Sequence, residues 1–416
     1  MSLKATDPRS RITDLDALRG FALFGILVVN LLYFAHPFLK FELEPEVFTG
    51  ADQWALNGIR FLFEGKFISL FSLLFGLGFT MLAYRFLERE LPFYRVYYRR
   101  VVMLLFFGAA HFTLLWAGDI LFIYGLCALF LPLFLHRKEK TLKIWIVVFL
   151  LLPILLFSAL AGLMYLGAQN PEVAAELEKA RQQVYEESAE ELHYFLNSYN
   201  SASFGDIFEA RMYEVGWMFK GMLFAPGGFN YIMALFLAGI LLGKHNTAGR
   251  IEELLPSWNQ TLKWMLTLGL LLAIIYTYVY QQTDLLWIDG WMVLLLLLFT
   301  LGTPLLALSY AILFVNGYRR MDTTAIAAGF KNVGRTALTN YLLQSVIATT
   351  LFYGYGLGWY GDVGPAALAG LAVLIFAAQM ILSSWYLNHF RMGPAEWLWR
   401  VVTYWQKPVN DTGRDK

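Results

Sequence analysis

Residues 291–316 read WMVLLLLLFTLGTPLLALSYAILFVN, a run of 26 residues without one charged side chain. A helix that crosses the hydrocarbon core of a bilayer needs about 20 such residues, and it satisfies its own backbone polar groups there. The run therefore predicts a transmembrane helix. The whole chain has the same character, since 58% of its 416 residues are hydrophobic and only 15% are charged, against roughly 25% charged in soluble domains. This composition excludes a soluble enzyme, a nucleic-acid-binding protein and a disordered scaffold.

Nine more apolar stretches accompany this one, so the sequence predicts an all-α, polytopic integral membrane bundle of about ten transmembrane helices. One sizeable segment, residues 168–228, interrupts the series and is too polar to span a membrane. It divides the chain into an N-terminal five-helix half (1–167), an acidic and aromatic insert, and a C-terminal half with a tail (229–416). The predicted spans are 15–35, 67–86, 101–118, 120–136, 144–167, 229–243, 261–280, 291–316, 337–356 and 365–387.

Basic residues lie mostly on one side of the predicted membrane. The two termini and the loops at 87–100, 137–143, 244–260 and 317–335, with the span residues next to them, carry 25 of the 32 Lys and Arg but only 12 of the 31 Asp and Glu. Positive residues in short loops mark the cytoplasmic side. We therefore expect both termini in the cytoplasm and residues 168–228 outside it.

The basic loops include the neighbours Arg99 and Arg100. Arginines in such loops are topology signals, or some of them hold the phosphates of a cytoplasmic cosubstrate. The sequence leaves both interpretations open.

Polar side chains inside a span cost free energy, so they are candidates for a functional site. In the first span Asp16 and Arg19 lie three residues apart, near enough to pair at the cytoplasmic boundary. The pair is either an anchor for the helix or a way of presenting Arg19 to a phosphate. Asn30 lies about 22 Å into this span, and His36 stands directly before Pro37, where the helix should end.

His111 is the most isolated titratable residue, about 15 Å deep in the third predicted span. Asp119 follows eight residues later, about two turns on and on nearly the same face. The two residues are predicted to form a polar track that opens outwards. The alternative is a packing histidine that is hydrogen-bonded across helices.

Metal and disulfide chemistry are not expected from this sequence. The six histidines form no i,i+4 pair of the kind that binds zinc on a helix, and Cys127 is the single cysteine. The catalysis, if any, has to come from scattered polar groups that line the bundle.

Four stretches together resemble one family, the YeiB-like bacterial membrane proteins with a C-terminal domain of unknown function. The resemblance covers nearly the whole chain and implies a multi-pass protein of the bacterial cytoplasmic (inner) membrane. The stretches are 11–27 (RITDLDALRGFALFGIL), 67–76 (FISLFSLLFG), 118–121 (GDIL) and 334–345 (GRTALTNYLLQS).

This family is in turn distantly similar to transmembrane acyltransferases, such as heparan-alpha-glucosaminide N-acetyltransferase. The similarity implies acyl-CoA as cosubstrate and an extracytoplasmic glycan or other small molecule of the envelope as acceptor. The catalytic Asn and His of that enzyme correspond to Asn30 and His36, and His111 with Asp119 remains a competing choice. Arg19, Arg99 and Arg100 would then hold the CoA phosphates.

Two other classes of function stay open from the sequence. One is a secondary transporter of a small solute. Ten spans divide into two halves of five, and an odd number of spans gives the second half the opposite orientation in the membrane, as in many transporters. The other is a non-catalytic assembly or regulatory membrane protein. The expected partners are the lipid bilayer and a small acceptor, with no nucleic acid, and the oligomeric state is left open.

Overall fold

The computed structural model describes residues 12–43, 48–223, 225–321 and 323–410, and in these ranges all regular secondary structure is helical. The chain ends that are predicted to be cytoplasmic, 1–11 and 411–416, lie outside the described residues. The α-helices are α1 (Thr13–Ala35), α2 (Phe38–Leu43), α3 (Gly50–Leu62), α4 (Lys66–Glu88), α5 (Phe93–Leu114), α6 (Leu121–Phe130), α7 (Glu139–Gly167), α8 (Pro171–Tyr199), α9 (Phe204–Gly221), α10 (Phe229–Lys244), α11 (Ile251–Gln282), α12 (Gly290–Arg320), α13 (Ala325–Arg335), α14 (Ala337–Phe352), α15 (Pro365–His389) and α16 (Pro394–Tyr404).

All ten predicted spans fall on helices, and the prediction of an all-helical membrane protein is confirmed. Among the described residues, six helical segments are long and apolar enough to cross a bilayer. The count of ten stays a prediction, because several of the remaining apolar helices are shorter, such as α10. The six segments are Thr13–Ala35, Gly50–Glu88, Glu139–Gly167, Thr247–Gln282, Gly290–Arg320 and Pro365–His389.

Several helix ends differ from the predicted span boundaries; α7 and α11, for example, begin earlier, at Glu139 and Ile251. The helix predicted at 101–118 begins at Phe93 and ends at Leu114. Its polar first turns are helical because they pack against α16, which lies in the predicted tail. The helix predicted at 337–356 ends at Phe352. A glycine-rich turn follows, in which Gly358 has a φ of +69° that other residues rarely adopt.

Close helix packing depends on small residues, as membrane bundles require. A Cβ atom on Gly76 of α4 would lie 2.0 Å from the carbonyl oxygen of Phe236 in α10. A Cβ atom on Gly334 of α13 would lie 1.7 Å from the carbonyl oxygen of Asp16 in α1. Backbone therefore contacts backbone at both crossings, and the second crossing holds the first turns of α1 in place.

The insert forms two helices that pack on the end of the bundle at which α1 ends. α8 begins where the sequence predicts a helix, and the Asn170 side chain caps it by accepting a hydrogen bond from the Glu172 N–H at 2.9 Å. The Gly354 N–H donates to the Tyr199 carbonyl at 2.8 Å. The Gly361 N–H, in the same turn as Gly354, donates to the carbonyl of Ala35, the last residue of α1. The insert therefore lies at the end of the bundle where α1 ends, which we call the insert end. The opposite end, where α1 begins, is called the basic end.

Candidate functional site

A cavity of about 410 Å³ opens between α1, α4, α5, α14 and α16 at the basic end. Its volume falls in the range of about 300–1,000 Å³ that is usual for ligand pockets. Most of its wall is apolar, including Leu23 and Ile26 of α1. The charged residues of the wall are five arginines and two carboxylates: Arg19, Arg85, Arg100, Arg335, Arg400, Asp16 and Glu396.

Arg19 is paired with a carboxylate and also faces the cavity. Its Nη1 atom donates to Oδ1 of Asp16 at 2.8 Å, as the spacing of three residues on a helix predicts. Its guanidinium group also lines the cavity and remains about one third exposed. Arg19 is therefore oriented by a carboxylate and still available to an anion.

The neighbours Arg99 and Arg100 point in different directions. The guanidinium of Arg100 lies over the Trp399 ring at 4.4 Å and lines the cavity. The guanidinium of Arg99 lies over Trp405 at 5.6 Å, away from the cavity wall. Successive side chains on a helix differ by about 100° in direction, so only one of the two can face the bundle interior.

Glu396 belongs to this cavity and was not predicted from the sequence. Its Oε1 atom accepts hydrogen bonds from the backbone N–H groups of Leu338 (2.7 Å) and Thr339 (3.2 Å), and its Oε2 atom accepts from the Thr339 hydroxyl at 2.6 Å. Burial raises the pKa of Glu396, while these hydrogen bonds act to lower it. The carboxyl group therefore caps α14 and ties α16 to the cavity.

The inner end of the cavity is formed by Ile120, Leu121 and Tyr341. The His111 ring lies directly behind Tyr341, with the two ring centres 5.1 Å apart. The Tyr341 side chain therefore contacts both the cavity and the histidine. The Tyr341 hydroxyl is held by a long hydrogen bond of 3.5 Å from the Ile120 N–H.

His111 and Asp119 are in contact, as their spacing predicts. Nδ1 of His111 is 2.9 Å from Oδ1 of Asp119, and both side chains are almost fully buried. The ring N–H is not aligned with that oxygen, so the contact is electrostatic rather than a linear hydrogen bond. The other carboxylate oxygen, Oδ2, accepts from the Phe122 N–H at 2.6 Å and so caps α6.

The third member of this group, Ser345, was missed by sequence reasoning. Its hydroxyl oxygen is 2.7 Å from Nε2 of His111, although 234 residues separate the two in the chain. Only the resemblance over 334–345 included this residue, and it assigned no role to it. The His111 imidazole on α5 therefore contacts a hydroxyl on α14 through one ring nitrogen and a carboxylate in the turn before α6 through the other.

His36 lies at the insert end, apart from the cavity. Its Nε2 atom donates to the Val363 carbonyl at 2.9 Å, and Nδ1 is 3.4 Å from Nζ of Lys40. The side chain is fully buried. Burial, with a smaller contribution from the Lys40 charge, lowers the pKa of His36 to about 4.

Asn30 lies on the cavity face of α1. Arg19, Leu23 and Ile26 line the cavity, and Asn30 follows Ile26 by four residues, which returns it to the same face. α1 is helical without interruption from Thr13 to Ala35, so no unwound segment brings Asn30 towards His36. Within the described residues the Asn30 amide makes no hydrogen bond, and it is only half-buried.

No group of three His, Cys, Asp or Glu side chains that could hold a metal ion occurs within residues 12–43, 48–223, 225–321 and 323–410.

The fold and the cavity define the class: a polytopic helical membrane protein with an arginine-lined cavity at one end of the bundle. Residues 242–406 match the family model DUF418, described as a protein of unknown function. The chain is 35% identical to the uncharacterized protein YxaH of Bacillus subtilis (strain 168), over 99% of both chains. It is 29% identical to the uncharacterized protein YeiB of Escherichia coli (strain K12), over 94% of this chain and 96% of that one.

An uncharacterized 39.9 kDa protein in the amylase 3′ region of Bacillus acidopullulyticus is 26% identical, over 95% of each chain. No solved structure matches the chain. The chain belongs to the YeiB-like DUF418 family, as the resemblance in its sequence indicated.

Proposed function

We propose that this protein is an acyl-CoA-dependent transmembrane acyltransferase of the bacterial inner membrane. It transfers an acyl group from cytoplasmic acyl-CoA to a hydroxyl or amine of an extracytoplasmic glycan or other envelope molecule. The observation that carries the proposal is the cavity, in which five arginines stand against two carboxylates at the entrance to a largely apolar interior.

The charge of the cavity suits an anionic, elongated ligand. Guanidinium groups bind phosphate through paired, charge-assisted hydrogen bonds, and CoA carries several phosphate groups at one end. Arg19 and Arg100 would contact these phosphates. The apolar wall beyond them, which includes Leu23 and Ile26, would take the pantetheine arm and the acyl chain, and the thioester would lie near Tyr341.

The orientation in the membrane follows from the distribution of charge. Arginines cluster at the basic end, and positive residues mark the cytoplasmic side. The acidic insert, residues 168–228, then lies outside the cytoplasm. The cavity opens towards the cytoplasmic pool of acyl-CoA, and the acceptor would approach from the insert end.

His111 is the better candidate for the general base than His36. A carboxylate next to an imidazole stabilises the protonated form that arises when the base takes a proton, and Asp119 is 2.9 Å from His111. His36 instead has Lys40 as its charged neighbour, and a pKa of about 4 makes it a weak base at neutral pH.

Asn30 fits the predicted role of a donor to the developing oxyanion. Its amide lies one turn beyond Ile26 on the cavity face of α1 and makes no hydrogen bond among the described residues. Such a donor contributes about 10²–10³-fold to the rate. We therefore assign the oxyanion donor to Asn30, which the resemblance also implies as a catalytic residue, and we assign the general base to His111 rather than to His36.

Binding of CoA is the primary test. We expect purified full-length protein in detergent to bind acetyl-CoA in calorimetry, and proteoliposomes to transfer a radiolabelled acetyl group to an envelope glycan supplied on the other side. If the protein binds no CoA or acyl-CoA at all, the acyltransferase proposal is wrong.

A secondary transporter is the second candidate, because of a separate group of buried charges at the junction of α3 and α4. Nζ of Lys66 donates to the Arg60 carbonyl at 2.8 Å, and the Arg60 guanidinium lies 3.9 Å from the Tyr280 ring centre. Glu64 lies between them in the chain, and buried charges in a membrane often mark an ion or solute pathway. Flux of a small solute into proteoliposomes without CoA would favour this function.

A further inference from the structure

We propose that Ser345 is a covalent nucleophile, which carries the acyl group as an acyl-serine between the donor and the acceptor. This inference rests on the proposed acyltransferase function and adds the step by which the group passes through the protein. Neither the family resemblance nor the sequence patterns assign a role to this residue.

The first support is the order and spacing of three side chains. The Ser345 hydroxyl is 2.7 Å from Nε2 of His111, and Nδ1 of the same ring is 2.9 Å from Asp119. A ring proton on Nδ1 would be favoured by the carboxylate and would leave Nε2 free to accept the hydroxyl proton. Except for the angle at Nδ1, which is not that of a linear hydrogen bond, this is the arrangement in which a serine becomes nucleophilic.

The second support is the position of Ser345 relative to the cavity. Leu338 and Tyr341 line the cavity from α14, and Ser345 is the next residue on the same helix face. It lies about 6 Å beyond Tyr341 along the helix axis. The Tyr341 hydroxyl accepts a long hydrogen bond of 3.5 Å, and a rotation of this buried side chain would connect the cavity with the Ser345 hydroxyl.

The reaction balances without any further reagent. The Ser345 oxygen attacks the thioester carbon, and its proton passes to Nε2 of His111. The C–S bond breaks, and His111 returns the proton to the thiolate, so that free CoA leaves. In the second half, His111 takes the proton of the acceptor hydroxyl or amine, the acceptor attacks the acyl carbon, and the released Ser345 oxygen is protonated again.

The third support is that the same group of residues lies close to the insert. Thr113, two residues after His111, accepts a hydrogen bond of 2.9 Å from Arg211 of α9 through its carbonyl oxygen. The part of α5 that carries His111 is thus bonded to the insert, while the cavity lies on the side of Tyr341. An acyl-serine would let donor and acceptor react in turn from opposite ends, without both being bound at once.

The experiment is to incubate full-length wild-type protein in detergent with radiolabelled acetyl-CoA in the absence of any acceptor. We expect a stable label of up to one acetyl group per chain, seen by intact-mass measurement and located by digestion in the peptide that contains Ser345. Ser345→Ala should not be labelled. Ser345→Cys, which keeps a nucleophile of similar size, should form a thioester that neutral hydroxylamine releases.

The matched control is Ser309→Ala, which removes another fully buried serine whose hydroxyl bonds only to the Leu305 carbonyl of its own helix. This variant should be labelled like the wild type. CoA binding is measured in the same samples. Absence of CoA binding defeats the proposed function itself, whereas binding without label, or a fully active Ser345→Ala, overturns the acyl-serine and leaves the acyltransferase proposal standing.

Discussion

The two buried histidines at opposite ends of the site region differ in their partners. His111 contacts a carboxylate and a hydroxyl and lies one side chain behind the cavity. His36 donates to the Val363 backbone carbonyl and faces an ammonium group, with a pKa lowered to about 4 by burial and by Lys40. Both residues are at most 1% exposed, so burial alone does not distinguish a catalytic histidine from a structural one.

The difference shows that the chemistry of the neighbours decides what a buried histidine can do. An imidazole beside a carboxylate can take up a proton, because the charge that arises is compensated. An imidazole beside an ammonium group stays neutral and serves as a hydrogen-bonding link. His36 links the end of α1 to the loop before α15, and this role explains its position without any catalysis.

The largest effect is expected from the two histidine variants compared directly. His111→Ala should reduce acyl transfer by about 10²–10⁴-fold, the usual contribution of a general base, while His36→Ala should retain most of the turnover per folded molecule. The measurement is single-turnover transfer from labelled acyl-CoA. Equal activity of His111→Ala and wild type would reverse the assignment and return the base role to His36.

The folding of these variants has to be checked separately, because His111→Ala leaves the buried Asp119 without its partner. His111→Gln keeps a hydrogen-bonding side chain of similar length. We expect it to restore the melting temperature but not the activity. Restored activity in His111→Gln would make His111 a packing residue.

The next largest effect tests whether the cavity is the donor site. Arg100→Ala should weaken acetyl-CoA binding by roughly 10- to 100-fold, because a hydrogen bond to a charged group contributes about 1.5–3 kcal/mol. Arg99→Ala is the matched control, since the neighbouring arginine lies over Trp405 outside the cavity wall. If calorimetry gives the same loss of affinity for both variants, the CoA phosphates do not bind at Arg100 in the cavity.

A smaller effect concerns acid stability at His36. Its pKa in the folded protein, about 4, is below the ordinary value of 6.5, so the unfolded chain binds the proton more readily between these values. Its contribution to stability is therefore present above pH 6.5 and is lost as the pH falls towards 4. We expect the melting temperature to fall from pH 7 to pH 5 less steeply in His36→Gln than in the wild type.

The smallest effect is expected in the insert, and it has the opposite sign. Burial raises the pKa of Glu214 to about 7, although the Tyr199 hydroxyl donates to it at 2.7 Å and the Arg211 charge is nearby. Stability from this group is present at low pH and is lost as the pH rises through about 7. Hydrogen exchange in α9 should therefore quicken from pH 6 to pH 8, after correction for the intrinsic rate.

Glu214→Gln should remove that pH dependence. If the hydrogen-exchange rate of α9 in the wild type, corrected for the intrinsic rate, does not change between pH 6 and pH 8, the raised pKa of Glu214 is wrong.

Local features of the chain were predictable because they depend on neighbours in sequence. The apolar runs, the Asp16–Arg19 pair, the start of α8 at Asn170 and the contact of His111 with Asp119 all arise within a few turns of one helix or across one tight turn. Residues at such spacings are brought together by helix geometry itself. The sequence by itself therefore determined the class of protein, its long apolar helices and two of the three members of the group formed by His111, Asp119 and Ser345.

Only the tertiary structure decided which side chains from distant helices meet. Arg335, Arg400 and Glu396 line the same cavity as Arg19, and Ser345 contacts His111 across 234 residues. A helix in a membrane is apolar towards lipid and towards its neighbours alike, so its hydrophobic pattern does not reveal which face it buries. Close contacts between backbones, such as those at Gly76 and Gly334, determine which helix faces are buried. No local pattern in the sequence specifies these contacts.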